Sequence, residues 1–390
     1  MKASHSLWKE SALRAGFNLV GITTAEPSPN LQAYIHWLNA HMYGEMQYLA
    51  RNDRIQRRMD LNQILSGVRS LVVVGMDYAW ASRSHRWSAE LRNPARGRIA
   101  AYAWGADYHA VMQERLKRLT AELTGIAARR RSQDWKVYVD TGALLERSHG
   151  QLAGLGFIGK NTMLIHPRKG GNFFLGVILT TLEFDEYDPP APVSMCGSCQ
   201  RCLQACPTQA FPEPYVLDAR LCISYLTIEH KGWLPRELRE KMGNWIFGCD
   251  VCQEVCPFQR FASSEAETVF QAEMLDRAAP RLLDLLSLSE EEFRSRYQGT
   301  VLWRLGYPRL LRNAIIAAGN WGDHLALTPL ERLLDSDWPI VRGHAAWALV
   351  RILGENVHSL LRRRLANEGD GEVRREIRQL FRAGTHQFTA

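Results

Sequence analysis

All eight cysteines of this 390-residue chain fall between residues 196 and 256. A disulfide framework is typical of small secreted domains, whereas this chain is large. Its first 21 residues lack the apolar stretch of a signal peptide, and no apolar run approaches the length of a membrane helix. We therefore expect a cytoplasmic protein, independent of membranes, whose cysteines bind metal.

The spacing of the cysteines indicates which metal. The first run has x2-x2-x3 spacing and ends in a Cys-Pro pair, with members Cys196, Cys199, Cys202 and Cys206. In bacterial ferredoxins this run places three thiolates on one 4Fe–4S cluster and the fourth on a second cluster. A second run ending in Cys-Pro lacks its first member, with members Cys249, Cys252 and Cys256. Cys222 alone is left to complete it.

The eight cysteines then provide four ligands for each of two clusters. The predicted ligands of the first cluster are Cys196, Cys199, Cys202 and Cys256. The predicted ligands of the second are Cys222, Cys249, Cys252 and Cys206. A structural zinc site also uses CxxC pairs, but zinc does not explain the x2-x2-x3 run with its second Cys-Pro ending. Two adjacent clusters predict electron transfer.

Around the clusters we predict a multidomain α+β or α/β protein. Residues 1–190 are expected to form an α/β domain, with strands at Leu71–Val74, Trp135–Val139 and Phe173–Leu179. Apolar residues spaced by three and four predict one helix face, formed by Met112, Leu116, Leu119, Leu123 and Ile126. A Pro-rich stretch at Asp188–Pro192 predicts a boundary. A ferredoxin-like two-cluster domain is expected over 191–265 and a helical domain over 266–390.

The helical domain contains a weak repeat. Similar segments begin near Arg312, Val341 and Val373, about thirty residues apart. They resemble the second helices of HEAT-like repeats, which stack into an extended surface. A plain helical bundle is the alternative. In both cases arginines suited to phosphates lie in this domain, namely Arg362, Arg363, Arg364, Arg374, Arg375, Arg378 and Arg382.

Charge permits a polyanionic partner. The net charge is +7 and the pI about 9.0. Residues 51–131 carry 16 Lys or Arg against 7 Asp or Glu. This surplus predicts either a basic binding face or a solvated arginine-rich surface.

Three motifs in the first domain are candidates for chemistry. Asp140 follows a predicted strand, where a partly desolvated carboxyl could donate a proton near neutral pH, although a helix N-cap or turn aspartate is the alternative. The segment 154–162 matches GxGxxG, but no clear strand precedes it. We interpret it as a glycine-rich loop that lets a bulky ligand approach, with Lys160 and Asn161 as polar contacts. His109 lies in an incomplete cobalt-binding motif whose glycine position is Met112, so it is expected to be a pocket or core histidine.

Together these motifs resemble the epoxyqueuosine reductases of tRNA modification. The matching segments are Gly105–His109, Val139–Arg147, Gly154–Asn161, the first cysteine run, Cys222–Glu229 and Gly248–Pro257. The resemblance covers roughly residues 5–385 and is most specific over residues 100–260.

The resemblance implies a function. The family converts epoxyqueuosine to queuosine at the tRNA wobble position, the last step of queuosine biosynthesis, with cobalamin and two 4Fe–4S clusters. Its fold implies a cobalamin-binding α/β domain, a ferredoxin-like module and HEAT-like repeats. Asp140 matches the proposed proton donor of the family. The implied cobalamin contacts are Tyr108, His109, Asp140, Lys160, Asn161, Ser224 and Asp250.

The implied partners are the tRNA anticodon stem-loop and an external electron donor such as a ferredoxin or flavodoxin, and we expect a monomer. Two alternatives stay open. A cobalamin-dependent enzyme resembling the reductive dehalogenases would act on a small molecule and need no basic surplus. A ferredoxin-type electron carrier would leave the other domains without a role.

Overall fold

The computed structural model describes residues 2–78, 87–126, 135–262 and 267–383. The chain forms two compact units, each drawn from three segments. The first takes residues 1–83, 105–220 and 250–271, and the second takes 84–104, 221–249 and 272–390. The three predicted domains are instead continuous in sequence, and their boundaries stay predictions. None of the helices in the described ranges has the length and apolar character needed to cross a bilayer.

The described ranges contain helices in both units. In chain order these are α1 (His5–Arg14), α2 (Leu31–Asn39), α3 (Asn52–Met59), α4 (Tyr108–Ile126), α5 (Glu146–Leu152), α6 (Arg201–Ala205), α7 (Ile223–Ile228), α8 (Arg236–Arg239), α9 (Val251–Glu254), α10 (Leu275–Ala278), α11 (Leu282–Leu286), α12 (Glu290–Tyr297), α13 (Tyr307–Trp321), α14 (Leu327–Leu333), α15 (Pro339–Leu353), α16 (His358–Asn367) and α17 (Gly371–Ala383).

The strands are short, and one sheet dominates. In chain order they are β1 (Leu19–Thr24), β2 (Ser70–Asp77), β3 (Arg98–Ile99), β4 (Trp135–Tyr138), β5 (Phe157–Ile158), β6 (Leu164–Ile165), β7 (Phe173–Thr180) and β8 (Trp245–Phe247). The main sheet has the order β1-β2-β7-β4 with every pair antiparallel. The three predicted strands are confirmed as parts of β2, β4 and β7. An antiparallel sheet with separate helices makes this unit α+β rather than a parallel α/β fold.

Helices cover both faces of the sheet, which explains why β2 is buried along its whole length and apolar from Leu71 to Met76. Neighbouring residues of a strand point to opposite faces. Leu116 of α4 and Val74 both lie beside Gly176 of β7, whereas Val73 lies beside Gly150 of α5. The predicted helix is confirmed in α4, where the four described members of its apolar face are buried. The side chain of Ile126 lies outside the described residues.

The sheet register places the candidate acid. Tyr138, the last residue of β4, pairs with Val177 of β7. Because these strands are antiparallel, the chain beyond Tyr138 runs beside the first residues of β7. Asp140 is thereby brought to the end of the sheet where Phe174 enters β7.

The second unit contains a helical repeat. The helices α13, α15 and α17 begin 32 residues apart, at Tyr307, Pro339 and Gly371. Within the unit α13 packs against α15, and α15 packs against α17. Buried Arg312 of α13 donates to the backbone carbonyls of Leu226 and His230, so a charged residue inside the repeat is satisfied. This regular stacking confirms the predicted repeat over a plain bundle.

Candidate functional site

Asp140 lies two residues beyond β4, in the loop that leads to α5. Its φ of +60° is in the left-handed region, which Asp tolerates better than most residues. The Thr141 N–H donates to the Val139 carbonyl at 2.6 Å, and Arg54 of α3 donates to the Thr141 carbonyl at 2.9 Å. The N-cap position of α5 is Leu145, so Asp140 is not the cap of that helix. Its unusual backbone directs the carboxylate towards α4.

Two side chains in the first turn of α4 contact the Asp140 carboxylate. The Tyr108 hydroxyl donates to Oδ2 at 2.9 Å, and His109 Nε2 lies 3.4 Å from the same oxygen. The second ring nitrogen of His109, Nδ1, lies 2.7 Å from Asp107 Oδ1. An imidazole between two carboxylates is suited to its protonated form, in which both nitrogens donate. The structure therefore brings together three of the predicted site residues.

These contacts determine the ionisation of Asp140. Hydrogen bonds from His109 and then from Tyr108 lower the pKa of Asp140, although desolvation opposes them. Its side chain is 66% exposed, so solvent also stabilises the carboxylate. The expectation that burial tunes this carboxyl to donate near neutral pH is therefore wrong for the protein without substrate. Asp140 is therefore a carboxylate at neutral pH and has to acquire a proton before it can donate one.

Four aromatic rings pack together beside Asp140, and we call them the aromatic wall; they belong to Tyr78, Tyr108, Phe174 and Phe270. The rings of Tyr108 and Phe174 are stacked, with centroids 4.2 Å apart and an interplanar angle of 5°. Tyr108 also stacks on His109 at 4.0 Å. Behind them Phe174 contacts Tyr78 at 4.5 Å and Phe270 at 4.8 Å between centroids. Asp140 thus stands at the edge of a flat stack of rings.

A second carboxyl, Glu146, stands at the other end of the Asp140 loop. It is the first residue of α5, and its Oε1 atom is buried without a hydrogen-bond partner. Burial, and then the charge of Asp140, raise the pKa of Glu146 to about 8, although a hydrogen bond from its own backbone N–H and the charges of Arg58 and Arg147 oppose this. Glu146 therefore holds a proton at neutral pH. Glu146 lies inside the matching segment Val139–Arg147, but the spacing does not show that its carboxyl is buried near Asp140, so the sequence assigns it no role.

Two glycines of the glycine-rich loop 154–162 allow it to pack closely against another part of the chain. A Cβ on Gly156 would lie 2.4 Å from the Ile165 carbonyl oxygen, and one on Gly159 would lie 2.5 Å from Ile165 Cδ1. These glycines therefore let the loop pack against β6. The interpretation that the loop also lets a bulky ligand approach stays a prediction.

Lys160 and Asn161 hold the cysteine loops. The Lys160 ammonium donates to the Cys199 carbonyl at 2.9 Å, and its backbone N–H donates to Cys196 Sγ at 3.4 Å. The Asn161 amide donates to the Cys252 carbonyl at 3.3 Å. The sequence does not show this role, because the cysteine loops are distant in the chain, and the predicted contacts of both residues with cobalamin stay predictions.

Four cysteines line one cavity in the first unit, together with Lys160 and Asn161. These four are Cys196, Cys199, Cys202 and Cys256. Their closeness appears in the ionisation of Cys202, where burial, and then Cys196 and Cys256, raise the pKa of the thiol. Among the described residues no three ligand side chains converge tightly enough to hold a single metal ion. Four cysteines that line one cavity agree with the shared ligand set predicted from their spacing.

The other four cysteines belong to different units. In the first unit, Cys206 ends α6 and Cys252 lies in α9, and these two helices pack together. In the second unit, Cys222 precedes α7 and Cys249 follows β8, which packs against α7. Their assignment to a second cluster stays a prediction.

The remaining two predicted cobalamin contacts, Ser224 and Asp250, also belong to different units. Ser224 lies in α7 of the second unit, where its carbonyl accepts from Thr227 Oγ1 at 3.1 Å. Asp250 is the buried N-cap residue of α9 in the first unit. Burial, and then the Asp250 charge, raise the pKa of Tyr78, so this acid lies near the aromatic wall. Contact of Ser224 and Asp250 with cobalamin stays a prediction.

Family models match three parts of the chain. Residues 58–141 match the model of epoxyqueuosine reductase QueG, residues 195–259 match a 4Fe-4S double cluster binding domain, and residues 301–382 match HEAT repeats. Each match falls inside one of the three predicted domains, and the second makes this chain a 4Fe–4S protein.

Relatives match nearly the whole chain. It is 38% identical to the epoxyqueuosine reductase of Escherichia coli, over 88% of each sequence. The enzyme of Pseudomonas aeruginosa is also 38% identical, over 88% of this chain and 93% of that sequence. A solved epoxyqueuosine reductase with an epoxyqueuosine-modified tRNA-Tyr stem loop is 33% identical, has a TM-score of 0.86, and covers 97% of this chain and 98% of its own.

A second solved relative concerns the acidic loop. The epoxyqueuosine reductase of Bacillus subtilis, 31% identical with a TM-score of 0.83 over 97% of this chain and 98% of its own, is described with its aspartate catalytic loop swung out of the active site. With this agreement in sequence and structure over almost its full length, the chain belongs to the epoxyqueuosine reductase family.

Proposed function

We propose that this protein reduces epoxyqueuosine to queuosine at the wobble position of tRNA, and that it acts in the cytoplasm, where tRNA is found. The observation that carries the proposal is Asp140, held by Tyr108 and His109 at the edge of an aromatic wall. Its family relationship supports the same reaction, because a solved relative holds a tRNA stem loop with this modification. An anticodon loop presents unpaired bases, which a protein can extrude at small cost.

Cobalamin is the proposed cofactor of the first unit, within the predicted domain 1–190. The residues present fit such a group through their polar atoms, because the Tyr108 hydroxyl and the His109 ring meet at the exposed Asp140 carboxylate, while buried Phe174 supports the Tyr108 ring from behind. Tyr108, His109 and Asp140 would hold it, with Lys160, Asn161, Ser224 and Asp250 as further proposed contacts. When bound, cobalamin supplies the reducing chemistry at the epoxide carbon.

The protein's own residues would transfer the proton to the substrate. Asp140 would face the epoxide oxygen and transfer a proton to it as the C–O bond breaks. His109, itself held by Asp107, would return a proton to Asp140 through the 3.4 Å contact. Tyr108 would keep the carboxylate oriented between these transfers.

The cysteine-rich segment, within the predicted domain 191–265, would carry electrons. Cys196, Cys199, Cys202 and Cys256 are the proposed ligands of one 4Fe–4S cluster, since they line one cavity. The second proposed set, based on the spacing, is Cys206, Cys222, Cys249 and Cys252. An external one-electron donor of the ferredoxin or flavodoxin class would reduce the clusters, and the protein would act as a monomer.

Anaerobic reconstitution tests the function. The protein is loaded with iron, sulfide and cobalamin, reduced with a chemical donor, and incubated with tRNA that contains epoxyqueuosine. We expect queuosine in the nucleoside digest of the tRNA. A protein that binds both cofactors but leaves epoxyqueuosine unchanged would contradict the proposal.

A second prediction concerns the helical repeat, over the predicted domain 266–390. Arg374 and Arg378 are exposed and lie one turn apart on α17, whereas Arg375 is paired with Glu372. If Arg374 and Arg378 contact tRNA phosphates, replacing both of them with Glu should weaken tRNA binding. It should also flatten the plot of log affinity against log salt by roughly 0.7–0.9 per lost contact. Titrations at several salt concentrations measure both effects.

The matched control is the double replacement of Arg281 and Arg332 with Glu, two exposed residues of the same unit, which changes the net charge by the same amount. It should leave affinity and salt slope near those of the unmodified protein. Equal effects of both variants would indicate a change in overall charge rather than a contact of α17. The remaining basic surplus of residues 51–131 includes Arg83, Arg86 and Arg129–Arg131, which lie outside the described residues.

A further inference from the structure

The proposed reaction needs more protons than Asp140 can hold. Removal of an epoxide oxygen breaks two C–O bonds, forms one C=C bond and releases the oxygen as water. The balance requires two electrons, which the external donor of the proposed function supplies, and two protons. A single carboxyl carries only one proton, so the site has to store or recruit the other.

One of the two protons has an evident location. Asp140 is a carboxylate whose Oδ2 accepts from Tyr108 and faces His109. With Asp107 on its other nitrogen, the imidazole can hold one proton for delivery to Asp140. The His109–Asp140 pair then supplies one proton per turnover.

Glu146 is the group available for the second. It is the first residue of α5 and lies six residues after Asp140, and the loop between them is tied to α3 by the hydrogen bond from Arg54 to the Thr141 carbonyl. The Glu146 Oε1 atom is buried and accepts no hydrogen bond. A carboxylate left in this state would be costly, whereas the neutral acid is tolerated.

The charges around Glu146 agree with a stored proton. Asp140 disfavours ionisation of Glu146, whereas Arg58 of α3 and Arg147 of α5 favour it. Burial and the charge of Asp140 have the larger effect, so the pKa of Glu146 is raised. Arg58 forms no hydrogen bond with Glu146 among the described residues, and its Nε is itself buried without a partner. His149, on the same helix, is neutral because burial lowers its pKa to about 4.

We propose that Glu146 is a positioning residue that supplies the second proton of the reaction, which reaches the substrate oxygen through Asp140. The inference rests on the proposed function. The two protons then come from acids in different environments. Asp140 is exposed at the proposed substrate site, and Glu146 has a buried carboxyl at the start of α5.

Glu146→Gln tests the inference, because glutamine matches the shape of the neutral acid but donates no such proton. Turnover of the holoenzyme on epoxyqueuosine-containing tRNA should fall by about 10²-fold, the lower end for positioned proton transfer. In the unmodified protein turnover should decline as pH rises through about 8, where Glu146 loses its proton. This decline should be absent in Glu146→Gln and return, shifted, in Glu146→Asp. Glu122→Gln, on the exposed part of α4, is the matched control and should leave turnover unchanged.

A second readout does not depend on turnover. Infrared difference spectra of the holoenzyme between pH 7 and pH 9 should show the loss of a protonated carboxyl band, which is missing in Glu146→Gln and kept in Glu122→Gln. Turnover of Glu146→Gln within twofold of the unmodified protein, with the same decline at high pH, would overturn the inference. If Glu146→Gln does not fold, an unshifted decline in Glu146→Asp would overturn it equally. An unmodified protein that never forms queuosine would instead refute the proposed function.

Discussion

Asp140→Asn should lower turnover on epoxyqueuosine-containing tRNA by roughly 10²–10⁴-fold, the range for positioned proton transfer. Asparagine keeps the size and polarity of the side chain, and its amide oxygen can still accept from Tyr108. It cannot pass a proton from His109 to the substrate oxygen. Product formation is measured beside the corrinoid and iron–sulfur absorption of the same sample.

The spectra separate chemistry from binding in this experiment. Cobalamin and both clusters should be retained, because neither requires the Asp140 proton. Asp53→Asn on α3, an exposed acid paired with Arg51, is the matched control and should leave turnover unchanged. Near-normal turnover of Asp140→Asn would contradict the acid role. Loss of cobalamin together with activity would indicate that Asp140 shapes the pocket instead.

Cys256→Ala should remove the cluster that Cys196, Cys199 and Cys202 bind, because the four thiols line one cavity. We expect about half of the iron to be lost, since each 4Fe–4S cluster uses four thiolates. Turnover should fall to background, because the path from the donor is interrupted. Iron content, electron paramagnetic resonance of the reduced protein and product formation measure these changes.

Comparison with other cysteine variants makes the assignment specific. The resonance that remains in Cys256→Ala should match that in Cys199→Ala and differ from that in Cys222→Ala. If Cys256→Ala instead resembles Cys222→Ala and Cys249→Ala, each run binds its own cluster and the exchange of ligands between runs is wrong.

Much of the fold could be predicted from local pattern. The strands at Leu71–Val74, Trp135–Val139 and Phe173–Leu179 are visible as apolar or alternating runs, and the α4 helix as apolar residues at helical spacing. The C-terminal repeat is visible as similar segments about thirty residues apart. Strand direction was not, because an apolar run buried on both faces looks the same in parallel and antiparallel sheets. Only the register showed that β4 and β7 are antiparallel and bring Asp140 beside Phe174.

The glycine-rich loop shows where local pattern fails. A GxGxxG match predicts small residues near something bulky, but it does not identify the neighbour. In the fold that neighbour is Ile165 of the following strand, so Gly156 and Gly159 serve packing. Lys160 and Asn161 likewise contact the cysteine loops, which lie tens of residues away in sequence.

The sequence by itself determined the metal chemistry, because cluster ligands are covalent and their spacing is a property of the chain. It also indicated the family and singled out Asp140. The tertiary structure alone decided the ionisation of the acids, because a pKa depends on burial and on neighbours from distant segments. Asp140 is ionised by contacts from the start of α4, whereas Glu146, six residues later, stays protonated because it is buried. Two carboxyl groups of one short motif thus acquire opposite states from their surroundings.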